Sequence, residues 1–399
     1  MVAATVAATT AALVAAMVAT TATATIAVFP LTVTNRKNVL EYTHMDFFFV
    51  QMLNEICERS VVAEGRPLRC MVVVNPVAGG FSIPSKWESH VRTLNKCREK
   101  AEANPRRKMH KITIVNITEG KGSASEITKM FISRIEKDNV PFYLIISAGG
   151  DGTHGEVMAA VYNAPAEVRK NIAVLRLPLG TGNDGADNIN LSDAFDLLLS
   201  PSRIEFVPAV QMFLNKDGPN SWKGPFLAFN ILSVGLDAFV THQTNVMKGQ
   251  KPGNSYKLWL DVAALSYDQK YKVDYFDVRA FDEKKAEVQS FREKLLLIAM
   301  GASGRRSYGS QQLILPDERN VCCMKQMPLL KKLAVKGQVT KGKHVNNKGA
   351  ILFNAHSLEF MYNYPILAQM DGETILLQPA DFPAKMELTL PIIPLLKRR

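Results

Sequence analysis

Apolar and polar positions follow two different periods along the first half of the chain. Short, nearly continuous apolar runs at 70–75, 112–117, 142–147 and 173–177 predict strands that are buried on both faces. Stretches of helical period at 85–103, 123–137 and 154–163 separate these runs. Strands that alternate with helices predict an α/β domain with a parallel sheet.

After residue 201 the pattern becomes richer in strands. Strands are predicted at 226–233, 272–281, 286–291 and 294–300, with a hairpin turn at 282–285. One helix with an apolar core stripe is predicted at 255–267. We therefore expect a β-rich, β-sandwich-like second domain after the α/β domain.

The first 67 residues precede this pattern. Residues 1–35 carry no charge and consist mainly of Ala, Thr and Val. A secretory signal would need a positive segment, and an Ala/Thr mixture is marginal for a membrane span, so we expect a low-complexity leader. An uncleaved anchor and an extended gene start are the alternatives. At 36–67, Phe47, Val50, Leu53 and Ile56 recur at helical spacing, which predicts an amphipathic helix packed on the first domain.

Three of the predicted strands end in glycine turns. The turns are Asn-Pro-Val-Ala-Gly-Gly at 75–80, Gly-Gly-Asp-Gly-Thr at 149–153 and Pro-Leu-Gly-Thr-Gly-Asn-Asp at 178–184. At the carboxyl ends of parallel strands, such turns expose backbone N–H groups to a phosphate. Asp151 can hold a metal that is bound to the phosphate, and Thr153 can donate a hydrogen bond. A single turn of this kind is a weak signal, but three of them predict a nucleotide site.

The charge of the chain favours an anionic partner. The net charge is +11, and the segment 325–348 holds seven lysines and no acidic residue. The aromatic residues are not interleaved with the basic ones as base stacking would require, so we expect an anionic membrane surface and no nucleic acid. A second basic cluster at 106–108 is more typical of a solvated turn.

Cysteine and histidine usage indicates neither a disulfide framework nor a zinc site. The five cysteines are an odd set without paired metal-ligand spacing: Cys57, Cys70, Cys97, Cys322 and Cys323. A reducing cytoplasm is the simplest setting, with peripheral membrane association. Among the histidines, only His154 lies near the predicted chemistry, where it either contacts phosphate or faces solvent.

The order of the three glycine loops resembles the diacylglycerol kinase catalytic-domain family, which includes bacterial lipid kinases, sphingosine kinases and ceramide kinases and is related to NAD kinases. Further matches are Thr118-Glu119 after the second strand, the segment 230–238 at the start of the second domain, and Asp371-Gly372-Glu373. The resemblance covers the chain from about residue 70 to its C-terminus.

This resemblance implies an ATP-dependent lipid kinase that transfers the γ-phosphoryl group to a lipid hydroxyl, with diacylglycerol as the expected acceptor and with ATP and Mg²⁺ as cofactors. The nucleotide contacts that it implies are Asn75, Pro76, Val77, Ala78, Gly79, Thr118, Gly149, Gly150, Asp151, Gly152, Thr153 and Thr181.

For catalysis, the resemblance implies that Glu373 accepts the proton, with Asp371 as its neighbour and Asp151 acting through Mg²⁺. We expect Asp371 and Glu373 to converge on one site, where repulsion and partial burial raise one pKa. The residues alone also allow an ordinary Asp-Gly hairpin turn. Arg305 and Arg306 either neutralise phosphate or lie on an exposed turn.

Two features leave other functions open. Gly155-Glu156 stands where relatives usually carry Asn-Glu, and 316–322 does not align with the family's second-domain metal motif, so the metal ligands are unknown. The alternatives are a sphingoid-base or ceramide kinase, an NAD kinase, and a catalytically silent lipid-binding relative. A homodimer is also left open.

The expected organisation has five parts. They are a leader at 1–35, a helical lead-in at 36–67, an α/β nucleotide-binding domain at 68–205, a β-rich lipid-substrate domain at 206–375, and a segment at 376–399 that packs back on the first domain.

Overall fold

The computed structural model describes residues 39–62, 66–103, 111–135, 141–186, 188, 190–216, 218, 221–248, 266–309 and 312–399. The predicted leader at 1–35, the basic cluster at 106–108 and nearly all of the predicted helix at 255–267 lie outside these residues.

The helices in the described part of the chain are α1 (Val39–Cys57), α2 (Gly79–Ser82), α3 (Pro84–Glu102), α4 (Ser123–Ser133), α5 (Asp151–Tyr162), α6 (Ala166–Arg169), α7 (Leu191–Leu199), α8 (Leu236–Lys248), α9 (Tyr267–Lys270) and α10 (Leu329–Thr340), with short 3₁₀ turns at Lys343–Asn346 and Pro379–Asp381.

The strands are β1 (Leu68–Val74), β2 (Lys111–Ile117), β3 (Phe142–Gly149), β4 (Ile172–Pro178), β5 (Ser202–Val207), β6 (Val210–Asn215), β7 (Trp222–Ala228), β8 (Ile231–Gly235), β9 (Tyr275–Phe281), β10 (Glu287–Gly301), β11 (Arg306–Tyr308), β12 (Gln312–Leu315), β13 (Val321–Lys325), β14 (Ala350–Phe353), β15 (Ser357–Met361), β16 (Ile366–Met370), β17 (Glu373–Leu377), β18 (Ala384–Leu388) and β19 (Ile393–Arg398).

The first sheet has the strand order β2-β1-β3-β4-β19-β5 and is parallel except for β5. Both of its faces are covered by helices. Val72 and Val74 face the core formed with α1, α3 and α7, whereas Met71 and Val73 face the core formed with α4, α5 and α6. Burial on both faces is why these strands read as continuous apolar runs. The predicted α/β domain with a parallel sheet is confirmed.

Helix α1 packs on this sheet, and Phe49, Met52, Leu53 and Ile56 are buried there. The apolar stripe differs slightly from the predicted one, because it runs through Phe49 and Met52 and leaves Val50 half-buried. Burial of a side chain of this size stabilises a fold by about 1.5–3 kcal/mol, so this helix is a substantial part of the first core.

The second sheet is antiparallel and follows the order β17-β16-β8-β10-β9-β15-β18-β6-β7, with β13 and β14 branching from β10. The long strand β10 belongs to both parts of this sheet, since it pairs with β9 over its first half and with β8 and β13 over its second. Side chains from both parts, such as Val278 and Met300, meet in one core. The predicted β-rich second domain is confirmed.

Two details of the strand prediction were wrong. The strands predicted at 286–291 and 294–300 form the single strand β10, because Arg292 and Lys294 continue its exposed face without a turn. The strand predicted at 226–233 is interrupted at Phe229 and Asn230, which separate β7 from β8. The predicted hairpin at 282–285 is confirmed, since it joins the antiparallel strands β9 and β10.

The chain crosses between the sheets twice, first from β5 to β6 and then from β18 to β19. The two crossings are hydrogen-bonded to each other. The Ala209 N–H donates to Thr389 Oγ1 at 2.9 Å, and the Thr389 N–H donates to the Ala209 carbonyl at 2.9 Å. The segment 376–399 therefore contributes β18 to the second sheet and β19 to the first.

No helix in the described part of the chain has both the length and the apolar character that crossing a bilayer requires. All five cysteines are buried and unbridged.

The paired crossings predict a specific loss of stability. In Thr389→Val, the buried Ala209 N–H loses its acceptor, which should lower the free energy of unfolding by about 1–3 kcal/mol. Urea unfolding measures this change. Thr93→Val, on the exposed face of α3, is the control and should shift stability by less than about 0.5 kcal/mol. Equal stability of both variants would contradict this role of Thr389.

Candidate functional site

The three glycine loops meet at the carboxyl edge of the first sheet. Asn75 Nδ2 donates to Thr153 Oγ1 at 3.0 Å, which joins the first loop to the second. The Gly80 N–H donates to the Leu179 carbonyl at 2.8 Å, and the Leu179 N–H donates to the Gly149 carbonyl at 3.2 Å. The loops therefore form one hydrogen-bonded unit.

Close backbone approach requires glycine at two places in this unit. A methyl group on Gly180 would lie 2.5 Å from Gly150 Cα, and one on Gly80 would lie 2.5 Å from the Leu179 carbonyl oxygen. Both distances are far below van der Waals contact, and both involve backbone that cannot move aside. The glycines are what allow the three loops to lie against one another.

Helix α5 begins at Asp151, directly after its cap residue Gly150. Glycine has no side chain that could accept hydrogen bonds from the first N–H groups of the helix, and the helix dipole makes this end partly positive. Such a terminus binds anions, and phosphate in particular. Thr153 is buried in this first turn, whereas Gly152 is exposed.

The other predicted nucleotide contacts lie at the same edge. The Val77 N–H donates to Asn75 Oδ1 at 3.2 Å, and the Val77 side chain is exposed between Pro76 and the buried Ala78. Two more of the predicted residues have contacts within the protein at this edge. The Thr118 N–H donates to the Val74 carbonyl at 2.8 Å, and Thr181 Oγ1 lies against Gly79.

Two carboxylates converge beside Gly182. Asp151 Oδ1 accepts a hydrogen bond from the Gly185 N–H at 2.7 Å. A methyl group on Gly182 would lie 3.2 Å from Asp151 Oδ2 and 3.1 Å from Asp184 Oδ2. One or two carboxylates with phosphate oxygens are the usual ligands of nucleotide-bound Mg²⁺, so these residues fit such an ion. Asp184 was not predicted as a site residue, although its place in the third loop was a signal.

These carboxylates line a cleft between the two sheets. Its lining residues are Asp151, His154, Gly155, Arg176, Asp184 and Gly185 from the first domain, and Phe229, Asn230, Tyr308 and Asp371 from the second. Within the described ranges, no three His, Cys, Asp or Glu side chains are grouped so as to hold a metal. A bound nucleotide would have to complete the coordination of a metal here.

His154 and Arg176 are both buried, with 1% exposure, although they border the cleft. His154 Nδ1 lies 2.8 Å from Ser147 Oγ, so the solvent-facing alternative for this histidine was wrong. The sequence prediction missed Arg176, because it stands inside an apolar strand without a motif. Burial raises the pKa of Asp371, and the positive charge of Arg176 opposes this rise.

Asp371 lies in a two-residue hairpin turn between β16 and β17, with φ of 47° at Asp371 and 102° at Gly372. Its carboxylate accepts hydrogen bonds from the N–H groups of Phe229, Asn230 and Ile231, the last two at 3.0 Å. Burial raises the pKa of Asp371 to about 6, although these N–H groups and Arg176 lower it. Asp371 and Gly372 therefore form a hairpin turn, and the same turn lines the cleft.

Glu373 directly follows this turn but has different surroundings. Its side chain is 66% exposed, and Oε2 accepts a hydrogen bond from Lys121 Nζ at 2.7 Å. Burial raises the pKa of Asp371, as predicted, but Glu373 is not a cause of this shift, so the predicted repulsion between the two carboxylates was wrong. Lys121 was missed because it lies 252 residues from Glu373 along the chain.

Glu156 fixes the loop that carries Lys121. Its carboxylate accepts from the Gly122 N–H at 2.7 Å and from the Ala124 N–H at 3.0 Å, at the start of α4. This helix terminus is therefore neutralised by the protein's own carboxylate. Because Glu156 is part of α5, the loop is held in a fixed position relative to Asp151.

The second domain contributes ion pairs at and near residues 316–322, the segment for which no metal ligands were predicted. Asp317 pairs with Arg319 at 2.5 Å, and Arg305 pairs with Glu318 at 2.5 Å in an exposed turn. Arg306 Nε donates to Ser303 Oγ at 2.9 Å. These contacts favour the exposed-turn alternative for Arg305, whereas Arg306 is half-buried at the start of β11.

Asp237 is a further buried carboxylate that was missed. It lies in the first turn of α8, and Oδ2 accepts from Ser233 Oγ at 2.6 Å and from Gln369 Nε2 at 3.4 Å. The pKa of Asp237 is raised to about 6, mainly by burial and in smaller part by the charge of Asp184, while the hydrogen bonds from Ser233 and Gln369 oppose the rise.

The chain is similar to a known family and to solved structures. Residues 69–204 match the diacylglycerol kinase catalytic domain, which confirms the predicted resemblance and supports a kinase. Two crystal structures of Bacillus anthracis str. Sterne proteins, provisionally assigned as diacylglycerol kinases, share the fold. Each is 18% identical with a TM-score of 0.52; one match covers 83% of this chain and 97% of that chain, the other 82% and 96%. Yeast NADH kinase in complex with NADH matches with 13% identity, a TM-score of 0.39 and 84% coverage of each chain.

The buried Asp237 predicts a pH dependence of stability. Its pKa rises from the ordinary 3.8 to about 6 on folding, so the folded state binds the proton more tightly. The stabilising contribution is complete below pH 3.8 and is lost as the pH rises through 6. Between pH 4 and pH 7, the free energy of unfolding should therefore fall less in Asp237→Asn than in the unmodified protein. The difference between the two falls should be up to about 3 kcal/mol.

Urea unfolding at several pH values measures this difference. Asp277→Asn, at an exposed carboxylate on β9, is the matched control and should keep the pH dependence of the unmodified protein. Identical curves for Asp237→Asn and the unmodified protein would contradict the assigned titration.

Proposed function

We propose that this protein is an ATP-dependent lipid kinase, which transfers the γ-phosphoryl group of Mg²⁺-ATP to the hydroxyl of diacylglycerol. The observation that carries the proposal is the convergence of three glycine loops on Asp151 and Asp184, at one edge of a cleft between two domains. The match of residues 69–204 to the diacylglycerol kinase catalytic domain supports the same chemistry.

In this proposal, the first domain binds the nucleotide phosphates. The N-terminus of α5 supplies backbone N–H groups, and Asn75 and Thr153 hold the adjoining loops in place. Asp151 and Asp184 would hold Mg²⁺ together with phosphate oxygens, and the ion would neutralise charge during the transfer. Phosphoryl transfer requires mainly positioning and charge neutralisation, which such a set of residues can provide.

The second domain would position the acceptor. Glu373 directly follows the turn at Asp371, which lines the cleft and which the buried Asp371 fixes through three backbone N–H groups. A carboxylate at this exposed position can accept the proton of a hydroxyl that enters from a membrane surface. Asp371, by contrast, would act as a positioning residue, since backbone donors surround its oxygens.

The lysine-rich segment at 325–348 would dock the protein on anionic lipid. It contains helix α10, which buries Val335 against the second domain. Lys332 pairs with Asp268, whereas Lys331, Lys341 and Lys343 are exposed. Exposed lysines beside a packed helix can meet lipid phosphates without unfolding the segment.

The proposed function predicts the product of the reaction. Labelled γ-phosphate from Mg²⁺-ATP should appear on diacylglycerol when the protein is given diacylglycerol, sphingosine, ceramide, phosphatidylglycerol and NAD in turn. Asp151→Asn removes a charge that binds the metal and should lower kcat by at least about 100-fold while the protein stays folded. Asp277→Asn is the matched control and should retain full activity.

Each product has a distinct meaning. Labelled sphingosine or ceramide would replace diacylglycerol as the acceptor, and labelled NADP would move the protein to the NAD kinases. No labelled product, together with no Mg²⁺-ATP binding, would overturn the kinase proposal.

The proposed docking predicts how vesicle binding depends on salt and on the lysines. Binding to vesicles with anionic lipid should weaken steeply as salt rises, and a Lys331→Ala, Lys341→Ala double variant should bind about ten- to thirtyfold more weakly. Vesicle sedimentation measures this binding. The control is the Lys129→Ala, Lys170→Ala double variant in the first domain, where both lysines are exposed. Equal binding to neutral vesicles would refute electrostatic docking.

A further inference from the structure

We propose that Lys121 is a γ-phosphate ligand, and that nucleotide binding moves Lys121 from Glu373 to the phosphate and thereby frees Glu373 to accept a proton. This inference rests on the proposed kinase function, and it adds a residue that none of the predicted motifs contains. It also makes the base available only after the nucleotide has bound.

The ion pair between these residues joins the two domains next to the turn at Asp371, which lines the cleft. Lys121 lies in the loop between β2 and α4, and Glu373 begins β17. Their side chains are 78% and 66% exposed, with 2.7 Å between Lys121 Nζ and Glu373 Oε2. In this arrangement the carboxylate is neutralised by the lysine, and its oxygen is occupied by the lysine proton.

The pair is suited to exchange. Exposed ion pairs contribute little to stability, because water screens both charges and the long side chains lose freedom when they pair. The terminal phosphate of a nucleoside triphosphate carries more charge than one carboxylate and offers several acceptor oxygens. A lysine ammonium on its flexible four-carbon chain can follow such a group, and lysine is a common ligand of β- and γ-phosphates.

The position of Lys121 favours the phosphate as its second partner. The neighbouring Gly122 N–H donates to Glu156 at 2.7 Å, and Glu156 follows Asp151 on helix α5. The Thr118 N–H donates to Val74 at the end of β1, which leads into the first glycine loop. The loop that carries Lys121 is thus bound on two sides to the elements that would hold the nucleotide.

The exchange gives each residue a defined part in the reaction. Glu373 accepts the proton of the lipid hydroxyl, and the hydroxyl oxygen forms a bond to the γ-phosphorus. The bond from that phosphorus to the bridging oxygen of the β-phosphate breaks, and ADP leaves with the electron pair. Lys121 stays beside the transferred phosphoryl oxygens and offsets their charge.

Binding of ATP and ADP separates this role from a structural one. Calorimetry with Mg²⁺-ATP on Lys121→Ala should show an affinity about tenfold below that of the unmodified protein, whereas the affinity for Mg²⁺-ADP, which lacks the γ-phosphate, should not change. Lys121→Arg should retain most of the ATP affinity. Lys129→Ala, at an exposed lysine on α4, should leave both affinities unchanged.

The competition with Glu373 gives a second, independent measurement. Glu373→Gln removes the competing charge, so Mg²⁺-ATP should bind about two- to fivefold more tightly. In the Lys121→Ala background the same change should have no effect, because the lysine for which Glu373 and the γ-phosphate compete is absent. An equal loss of ATP and ADP affinity in Lys121→Ala, or an effect of Glu373→Gln that does not depend on Lys121, would overturn the proposal.

The two levels of failure are distinguishable. Suppose that the unmodified protein binds Mg²⁺-ATP and labels a lipid, and that Lys121→Ala binds Mg²⁺-ATP with the same affinity. In that case the kinase function stands and only the role of Lys121 is refuted. If the unmodified protein does not bind Mg²⁺-ATP, both proposals are refuted together.

Discussion

The cleft depends on the buried carboxylate of Asp371. One side chain accepts hydrogen bonds from three successive backbone N–H groups, those of Phe229 and Asn230 in the break between β7 and β8 and that of Ile231 at the start of β8. Without an acceptor, these buried donors would each cost about 1–3 kcal/mol, so the carboxylate fixes the path of the chain there. It also lies beside Arg176 of the first sheet. The same group thus fixes the second domain's wall of the cleft and carries the turn that leads to Glu373.

The opposite wall is fixed by shape more than by charge. Contacts between Gly150 and Gly180 and between Gly80 and Leu179 hold the loops closer together than any side chain would allow. A phosphate site built in this way needs little rearrangement when a ligand binds, which is favourable for reactions that depend on positioning. The two walls therefore differ in kind, since one is rigid backbone and the other is a buried ionic centre.

Local patterns were sufficient to predict β1 to β4, the three long helices α3, α4 and α5 between them and the three glycine loops, because each of these depends on residues that are close in sequence. The contacts that complete the site join residues that are far apart in the sequence. Asp371 binds a segment about 140 residues earlier in the chain, and Lys121 meets Glu373 across 252 residues. Glu156 was noticed only as part of a substituted motif, whereas its carboxylate caps α4. No periodicity or short motif encodes such pairs, so they could not be found without the fold.

The position of β19 has a consequence for how the protein is made. This strand lies between β4 and β5 in the first sheet, although some 180 residues separate β5 from β19 in the chain. During synthesis, the ribosome completes β5 long before its neighbour exists, so β4 and β5 have open hydrogen-bonding edges until β19 has been made. Pairing over so long a separation is slow, and unpaired strand edges invite association with other chains. The α/β domain is therefore completed only after the strands of the second sheet, although β1 to β5 are made before them.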